Sequence, residues 1–308
     1  MNEQAIVNCQ LASWYKDFEH VTYRTRLIEL PDAFVDYLLQ DGVFLPEQSA
    51  ALPVRSKPGK YDDYQDWADD DMEPQDAEEA ASKLPAFPEL FQQIESAIAE
   101  LGRRVLPKLN WSAPMDAVWL TTCKSIACTN ADEVVLLLKG SDRVAHDLCH
   151  AFDACAARRE RPARVWLALR KFHDLRPGRE FRCFMHNHEL IAVSQRNIAE
   201  HYPQLAAQRE ELLEALLEFA EEHLERFPEP DFAADVYVAA SGRVWLVDFN
   251  PIGGTTSPLL FDWEELPYSR AAPAADTIAE APAARQAPHT APGGAIDDLL
   301  RELQLETR

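Results

Sequence analysis

Apolar residues recur every three or four positions in several stretches of the chain. After Pro31, for example, they stand at Phe34, Val35 and Leu38 before Gly42 ends the pattern. This spacing places apolar side chains on one face of a helix and is typical of a helix that packs on a core. It predicts helices over residues 31–40, 87–101 and 205–227, and a capping serine predicts another over about 142–158.

Short runs of β-branched and other apolar residues indicate strands. They stand at residues 22–30, 117–122, 134–139 and 165–172. The third run ends in Lys139 and is predicted to be a buried strand. Two longer segments, 180–195 and 232–250, each contain two such runs around a short polar turn and are predicted to be β-hairpins.

The hairpin at 232–250 brings two carboxylates together. A two-residue turn at Ser241 and Gly242 would place Asp235 opposite Asp248, and directly opposed residues point to the same face of a sheet. A four-residue loop would pair Asp235 with Leu246 instead, and the carboxylates would then lie further apart.

Asn250 follows Asp248 by two positions and therefore shares its face. Two neighbouring carboxylates repel each other, and a hard cation removes that repulsion. Carboxylate and amide oxygens suit Mg²⁺, which keeps water and nucleotide phosphates as its other ligands. The alternative is a solvated polar strand face, but Asp248 stands between Val247 and Phe249 in a run that looks buried.

The hairpin at 180–195 gathers a second polar group. A turn at residues 187 and 188 would place Glu180 opposite Gln195, with Arg182 on the same face and Arg196 at the strand end. Such a cluster can bind a ribose or a phosphate, or it can be a network of surface ion pairs.

Charge and length limit the classes of function. The 308 residues suffice for one large domain or two ordinary ones, and 52 acidic against 30 basic residues give a net charge of −22. Such a chain is a poor ligand for nucleic acid and suits a basic protein surface better. We see neither a signal peptide nor an apolar run long enough for a membrane span, so we expect a cytoplasmic protein.

Composition divides the chain into a body, a linker and a tail. We expect a body over residues 1–268, a linker rich in alanine and proline over 269–295, and an amphipathic helix over 296–308. The helix either packs on the body or docks into a partner. Within the body, residues 61–84 are strongly acidic and form either a solvated loop or an arm that docks a basic partner.

Two familiar motifs do not define a function here. His146 and His150 have the spacing of a zinc-protease helix, but Asp147 stands where that motif has glutamate, and no third ligand is identifiable. The chain has no G-x-x-x-x-G-K-S/T phosphate loop, so a nucleotide would need another architecture.

Several longer strings are distinctive enough to identify a family. They are residues 13–15, 28–42, 107–114, 180–184, 194–196, 244–251 and 259–266. Together they resemble the cell division cycle protein 123 family, and the resemblance covers roughly residues 9–266 apart from the acidic segment.

The resemblance implies an α+β fold of the ATP-grasp type, in which two lobes with largely antiparallel sheets enclose ATP and Mg²⁺. It implies that Lys108 contacts phosphate and that Asp235, Asp248 and Asn250 hold magnesium. The other nucleotide-binding residues that it implies are Asn110, Trp111, Ser112, Arg170, Lys171, Phe172, Glu180, Arg182 and Arg196.

The chain departs from the family pattern at four positions. These are Met115, where the family has arginine, Phe172 for tryptophan, Asn197 for aspartate, and Ser257 for aspartate.

The family's role implies a monomeric assembly chaperone. It would promote formation of eukaryotic translation initiation factor 2 by binding that factor's gamma subunit, with no nucleic acid or membrane involved. An ATP-grasp ligase or kinase acting on a carboxylate or a protein is the alternative. A third hypothesis is a scaffold that no longer binds nucleotide, although Lys108 and the set of Asp235, Asp248 and Asn250 argue against it.

Overall fold

A computed structural model describes residues 2–46, 49, 86–121, 124–155 and 161–269. The predicted acidic segment, the terminal helix and all of the predicted linker except Ser269 lie outside these residues. The chain divides into two compact units. Residues 24–151 and 159–172 belong to what we call the three-stranded unit, and residues 1–23, 152–158 and 173 onward belong to the four-stranded unit.

Helices and strands alternate irregularly along the chain. The helices are α1 (Glu3–Asn8), α2 (Leu11–Phe18), α3 (Asp32–Leu39), α4 (Pro88–Glu100), α5 (Ala131–Lys139), α6 (Asp142–Cys149), α7 (Pro203–Ala207) and α8 (Arg209–Glu222). The strands are β1 (Thr25–Glu29), β2 (Val105–Lys108), β3 (Trp166–Lys171), β4 (Glu180–His186), β5 (Glu189–Gln195), β6 (Phe232–Val238) and β7 (Val244–Pro251). No helix in the described ranges is long and apolar enough to cross a membrane.

The three-stranded sheet has the order β1-β3-β2, and all its pairs are antiparallel. Because side chains alternate along a strand, one face carries Ile28, Val105 and Leu169, which pack with helices α3 to α6 in one apolar core. The opposite face carries Lys108 and Arg170, since Lys108 pairs with Ala168 and Arg170 lies two residues further along β3.

The four-stranded sheet has the order β5-β4-β6-β7 and is also antiparallel throughout. An aromatic cluster covers one face, in which Phe249 of β7 stacks on Phe227 at 4.0 Å between ring centroids and meets Trp14 of α2 edge-on at 5.2 Å. The other face is apolar at one end, where Phe184 packs against Phe261 and neighbouring residues. The predicted α+β class with antiparallel sheets is therefore confirmed.

Two of the predicted strands are wrong. Residues 134–139 belong to helix α5, which begins at Asn130, whose side chain accepts the N–H of Glu133 at 2.9 Å. The Glu133 carboxylate accepts the N–H of Thr129 at 2.6 Å, so both sides of the helix start are capped. The run looked like a strand because α5 is buried on most of its surface. Residues 117–122 fall largely in a 3₁₀ helix, Met115–Leu120.

The predicted long helices are shorter than expected. The helix predicted over 205–227 is divided into α7, α8 and a 3₁₀ turn at Leu224–Arg226, with Gln208 between the first two. Helix α6 starts at its predicted Ser141 cap, whose hydroxyl accepts the N–H of Val144, but it ends at Cys149. Helices α3 and α4 are confirmed, whereas α1 and α2 were not predicted.

The β6–β7 hairpin has the predicted pairing of Asp235 with Asp248, although its turn differs from the predicted one. Its turn is not the two-residue type, because Ala239 donates its N–H to Arg243 at 2.9 Å and Gly242 adopts a φ of 83°. That three-residue loop shifts the register by one residue, and a bulge at Val247 shifts it back. Asp235 therefore lies opposite Asp248, as predicted.

The β4–β5 hairpin has the predicted turn and a shifted register. Asn187 and His188 both have positive φ, 51° and 65°, as a two-residue turn requires. Ile191 is an extra residue in β5, so Gln195 lies opposite Phe181 and not opposite the predicted Glu180.

Candidate functional site

The polar face of the four-stranded sheet joins residues from three neighbouring strands. Arg182 on β4 lies directly opposite Asp235 on β6, and Asp235 in turn lies opposite Asp248 on β7. Asn250, two positions after Asp248, shares their face. The sequence predicted the β6–β7 half of this arrangement, whereas the pairing of Arg182 with Asp235 is new.

Arg182 and Asp235 form a buried ion pair with two parallel hydrogen bonds. Nε of Arg182 donates to Oδ1 of Asp235 at 2.7 Å, and Nη2 donates to Oδ2 at 2.8 Å. Their side chains are only 4% and 8% exposed. Burial alone would lower the pKa of Arg182, but the hydrogen bonds and negative charge of Asp235 outweigh it, so the pKa is raised. This guanidinium therefore stays charged.

Two further groups converge on the same oxygen of Asp235. Nε of Arg196 lies 3.1 Å from Oδ2, and Nδ2 of Asn250 lies 3.3 Å from it. The Arg196 side chain is 41% exposed, so this second guanidinium reaches solvent while Arg182 does not. Asp235 is thus held by one fixed and one accessible cation.

Glu180 lies beside this cluster at the start of β4. Its backbone carbonyl accepts the N–H of Arg196 at 2.8 Å. Burial raises the pKa of the Glu180 carboxyl, the charge of Arg196 opposes that rise, and the charge of Asp235 adds to it. The carboxyl therefore binds a proton more readily than an exposed glutamate does.

The donor set of Asp235, Asp248 and Asn250 fits a hard divalent cation. It offers two carboxylates and an amide oxygen on adjacent strands, which is the chemistry that Mg²⁺ prefers. No group of three or more His, Cys, Asp or Glu residues in the described ranges is arranged to hold a metal, so Asn250 would have to be the third ligand. A cation at Oδ2 of Asp235 would compete with Arg196 for that oxygen.

The remaining predicted site residues lie in the three-stranded unit. Lys108 and Arg170 are 6% and 5% exposed and share the sheet face that points away from this unit's core. Lys171 pairs with Val105 at the sheet end. Phe172 follows it, and the Arg104 guanidinium lies over the Phe172 ring, 3.8 Å from its centroid.

The loop after β2 is fastened by its own polar groups. Asn110 is 1% exposed and uses both ends of its amide, donating to the carbonyl of Arg164 at 2.9 Å and accepting the N–H of Trp166 at 2.7 Å. The amide of Asn110 therefore ties the loop to the start of β3.

Asp147 of α6 is the residue that sequence reasoning missed. Its carboxylate accepts the backbone N–H groups of Trp111 and Ser112 at 3.1 and 2.7 Å and the Ser112 hydroxyl at 2.8 Å. Burial raises the pKa of the Asp147 carboxyl, while these hydrogen bonds and the charge of Lys108 oppose the rise. From the sequence, Asp147 was considered only as a departure from the zinc-protease motif. A carboxylate among the apolar positions of a helix is itself a signal of a buried polar contact.

Two departures from the family pattern have visible contacts. Asn197 donates from Nδ2 to the Tyr202 hydroxyl at 2.7 Å and accepts the N–H of Ala199 at 3.2 Å. The backbone carbonyl of Ser257 accepts a hydrogen bond from Nη1 of Arg182 at 2.8 Å, so its side chain is not required for that contact.

Comparison with known proteins agrees with the motifs. A model of the D123 family matches residues 14–290. The translation initiation factor eIF2 assembly protein of Xenopus laevis is 39% identical over 271 residues, which cover 86% of this chain and 78% of the relative. The cell division cycle protein 123 of Phaeosphaeria nodorum is 41% identical over 254 residues, which cover 81% of this chain and 65% of the relative.

A solved structure is also similar. Cdc123 from Schizosaccharomyces pombe aligns with a TM-score of 0.70 and 34% identity, over 86% of this chain and 92% of that chain. The family match, the identities and this structural likeness together confirm the resemblance seen in the motifs. The chain therefore belongs to the D123 family, the family of cell division cycle protein 123.

Proposed function

We propose that this protein binds ATP and Mg²⁺ in the manner of ATP-grasp proteins and promotes assembly of translation initiation factor eIF2. The observation that carries the nucleotide part is the convergence of Arg182, Asp235, Asp248 and Asn250 on one sheet face. The assembly part rests on relatives that cover most of this chain and are named eIF2 assembly proteins.

Magnesium would be held by Asp235, Asp248 and Asn250. The ion supplies positive charge that neutralises phosphate oxygens and orients them. Because Arg182 holds both oxygens of Asp235 from within the sheet, it keeps this carboxylate in place while the ion binds. Arg196 is the accessible partner of Asp235, so the ion would displace it and leave its guanidinium for a phosphate group.

The resemblance to the family assigns further residues to the nucleotide. Lys108 and Arg170 are cations on one face of the three-stranded sheet and suit phosphate oxygens. The residues that would line the rest of the nucleotide are Trp111, Lys171, Phe172, Glu180 and Arg182. Since the side chains of Asn110 and Ser112 tie the loop to the start of β3 and to α6, their contribution is to hold that loop and not to bind ATP by those groups.

The partner is proposed to be the gamma subunit of eIF2, bound by a monomer in the cytoplasm. The net charge of −22 supports a basic partner surface. Here ATP acts as a ligand of the chaperone, and no small-molecule product is implied.

Binding to the purified gamma subunit tests this proposal. We expect the full chain to bind that subunit more tightly with ATP and Mg²⁺ present, and the Asp248→Ala variant to lose the dependence on nucleotide. The exposed Asp174→Ala variant, in the same unit, is the matched control. A correctly folded wild-type chain that does not bind the gamma subunit would refute the assembly role, whatever its affinity for ATP.

A further inference from the structure

One edge of the three-stranded sheet borders an open groove. Among the described residues, β3 is the only strand paired with β1, so β1 has a second edge without a strand neighbour. The groove along it has a volume of about 560 Å³. Its floor is Arg26, Leu27 and Ile28 of β1, and its wall is the flank of helix α4.

The backbone of β1 directs alternate hydrogen-bonding groups into this groove. Leu30 donates its N–H to Val165 and Lys171 donates to Arg24, both at 2.8 Å, so the even-numbered residues of this strand bond to β3. In an antiparallel pair the residues between them point their N–H and C=O groups the other way. Leu27 and Glu29 therefore present theirs at the open edge.

The wall of the groove offers side chains that suit a peptide backbone. Gln92 and Gln93 are exposed amides in the middle of α4, and no described residue forms a hydrogen bond with either side chain. The five residues of β1 are about 17 Å long, and the twelve residues from Glu89 to Glu100 are about 18 Å long. Floor and wall thus match in length and accommodate about five residues of extended chain.

The charges at the two ends of the groove differ. Arg26 pairs with Glu100 at 2.6 Å at one end. Because β1 and α4 run in opposite directions past that pair, Glu29 and Glu89 lie toward the other end. Glu89 lines the groove and has no ion pair with a described residue, whereas Glu29 lies outside the groove lining and pairs with the exposed Arg164 at 3.6 Å. One end of the groove therefore favours a cationic side chain.

We propose that this groove binds an extended segment of a partner protein, which adds to the sheet as a strand antiparallel to β1. Its backbone bonds to Leu27 and Glu29, and a lysine or arginine at its amino end lies beside the carboxylate of Glu89. The net charge of −22 makes such a basic segment the favoured occupant. This site is independent of the proposed ATP site.

A synthetic six-residue peptide tests the proposal. It alternates valine and threonine after an amino-terminal lysine, and amide hydrogen exchange in the full chain is followed by NMR. In the unliganded protein we expect fast exchange at Leu27 and Glu29 and slow exchange at Arg26 and Ile28. Saturating peptide should slow exchange at Leu27 and Glu29. Methylating one peptide nitrogen that faces β1 should weaken binding about fivefold, the effect of one lost hydrogen bond.

The position of the lysine in the peptide provides the second part of the test. Moving the lysine to the carboxyl end should weaken binding about threefold, and Glu89→Gln should remove that preference while the exposed Glu225→Gln leaves it intact. Equal binding by the methylated peptide, or unchanged exchange at Leu27 and Glu29, would overturn the proposal. Slow exchange at both amides without peptide would also overturn it, because another part of this chain would then cover the edge.

Discussion

Arg182 and Asp235 face each other on adjacent strands and are joined by two hydrogen bonds of 2.7 and 2.8 Å within the protein interior. Each charge alone would be strongly disfavoured in this buried position, and the pair removes most of that penalty. Because Arg196 and Asn250 bond to the same carboxylate, Asp235 is the centre of the polar face. The pair therefore links the stability of the sheet to the proposed binding site.

Replacing Arg182 by methionine should destabilise the protein by about 3–5 kcal/mol, because it leaves the carboxylate of Asp235 buried with its main partner removed. Chemical denaturation measures this loss. The exposed Arg176→Met variant should change the free energy of unfolding by less than about 0.5 kcal/mol.

The double variant Arg182→Met with Asp235→Leu distinguishes charge from packing. It should be more stable than Arg182→Met alone, since no isolated buried charge remains. If the loss of stability in the double variant equalled the sum of the losses in Arg182→Met and Asp235→Leu, the two residues would not interact energetically. That result would contradict the ion pair.

Asp147→Asn should loosen the loop that carries Trp111 and Ser112. The amide has the size of the carboxylate but carries no charge, and its NH2 group cannot accept the proton of the Ser112 hydroxyl, so we expect a loss of about 1–3 kcal/mol. Amide exchange at Trp111 and Ser112 should accelerate more than exchange elsewhere in the unit. The exposed Asp142→Asn, on the same helix, is the control, and equal protection in both variants would contradict the role of Asp147.

His223 should make the protein less stable in mild acid. Burial lowers the pKa of this imidazole, Glu222 partly opposes that shift, and His20 and Arg226 add to it. Because the folded state binds this proton less readily than the unfolded state, stability falls as the pH drops below the ordinary value of about 6.5.

Urea denaturation at pH 7.5 and pH 5.5 measures that effect. We expect the wild type to lose more stability between the two values than His223→Gln does, whereas the exposed His201→Gln should behave as the wild type. An identical loss in all three proteins would remove His223 as the cause.

The sequence predicted best where pairing is local. Asp235 and Asp248 lie on one hairpin, so a short turn limits their pairing to a few registers, and a bulge at Val247 restored the predicted one despite the wrong turn. Arg182 and Asp235 are 53 residues apart, and no turn fixes how β4 meets β6. Their ion pair therefore required the structure.

Helix α5 shows a different limit of prediction from the sequence. Its apolar run is short and buried on most sides, and such a run fits a strand or a helix equally well by periodicity. Asn130 followed by Glu133 is a start signal for a helix and would have resolved the ambiguity. The hydrogen bonds of the Asn110 and Ser112 side chains could not be predicted. Their partners, Trp166 and Asp147, lie more than thirty residues away in the sequence.

Calorimetric titration of ATP into the full chain, with and without Mg²⁺, tests the central claim most directly. We expect magnesium-dependent binding that Asp248→Ala abolishes and that the exposed Asp174→Ala retains. Magnesium-dependent binding unaffected by Asp248→Ala would contradict the proposed metal ligands. An absence of binding by the folded wild-type chain would contradict the ATP site itself.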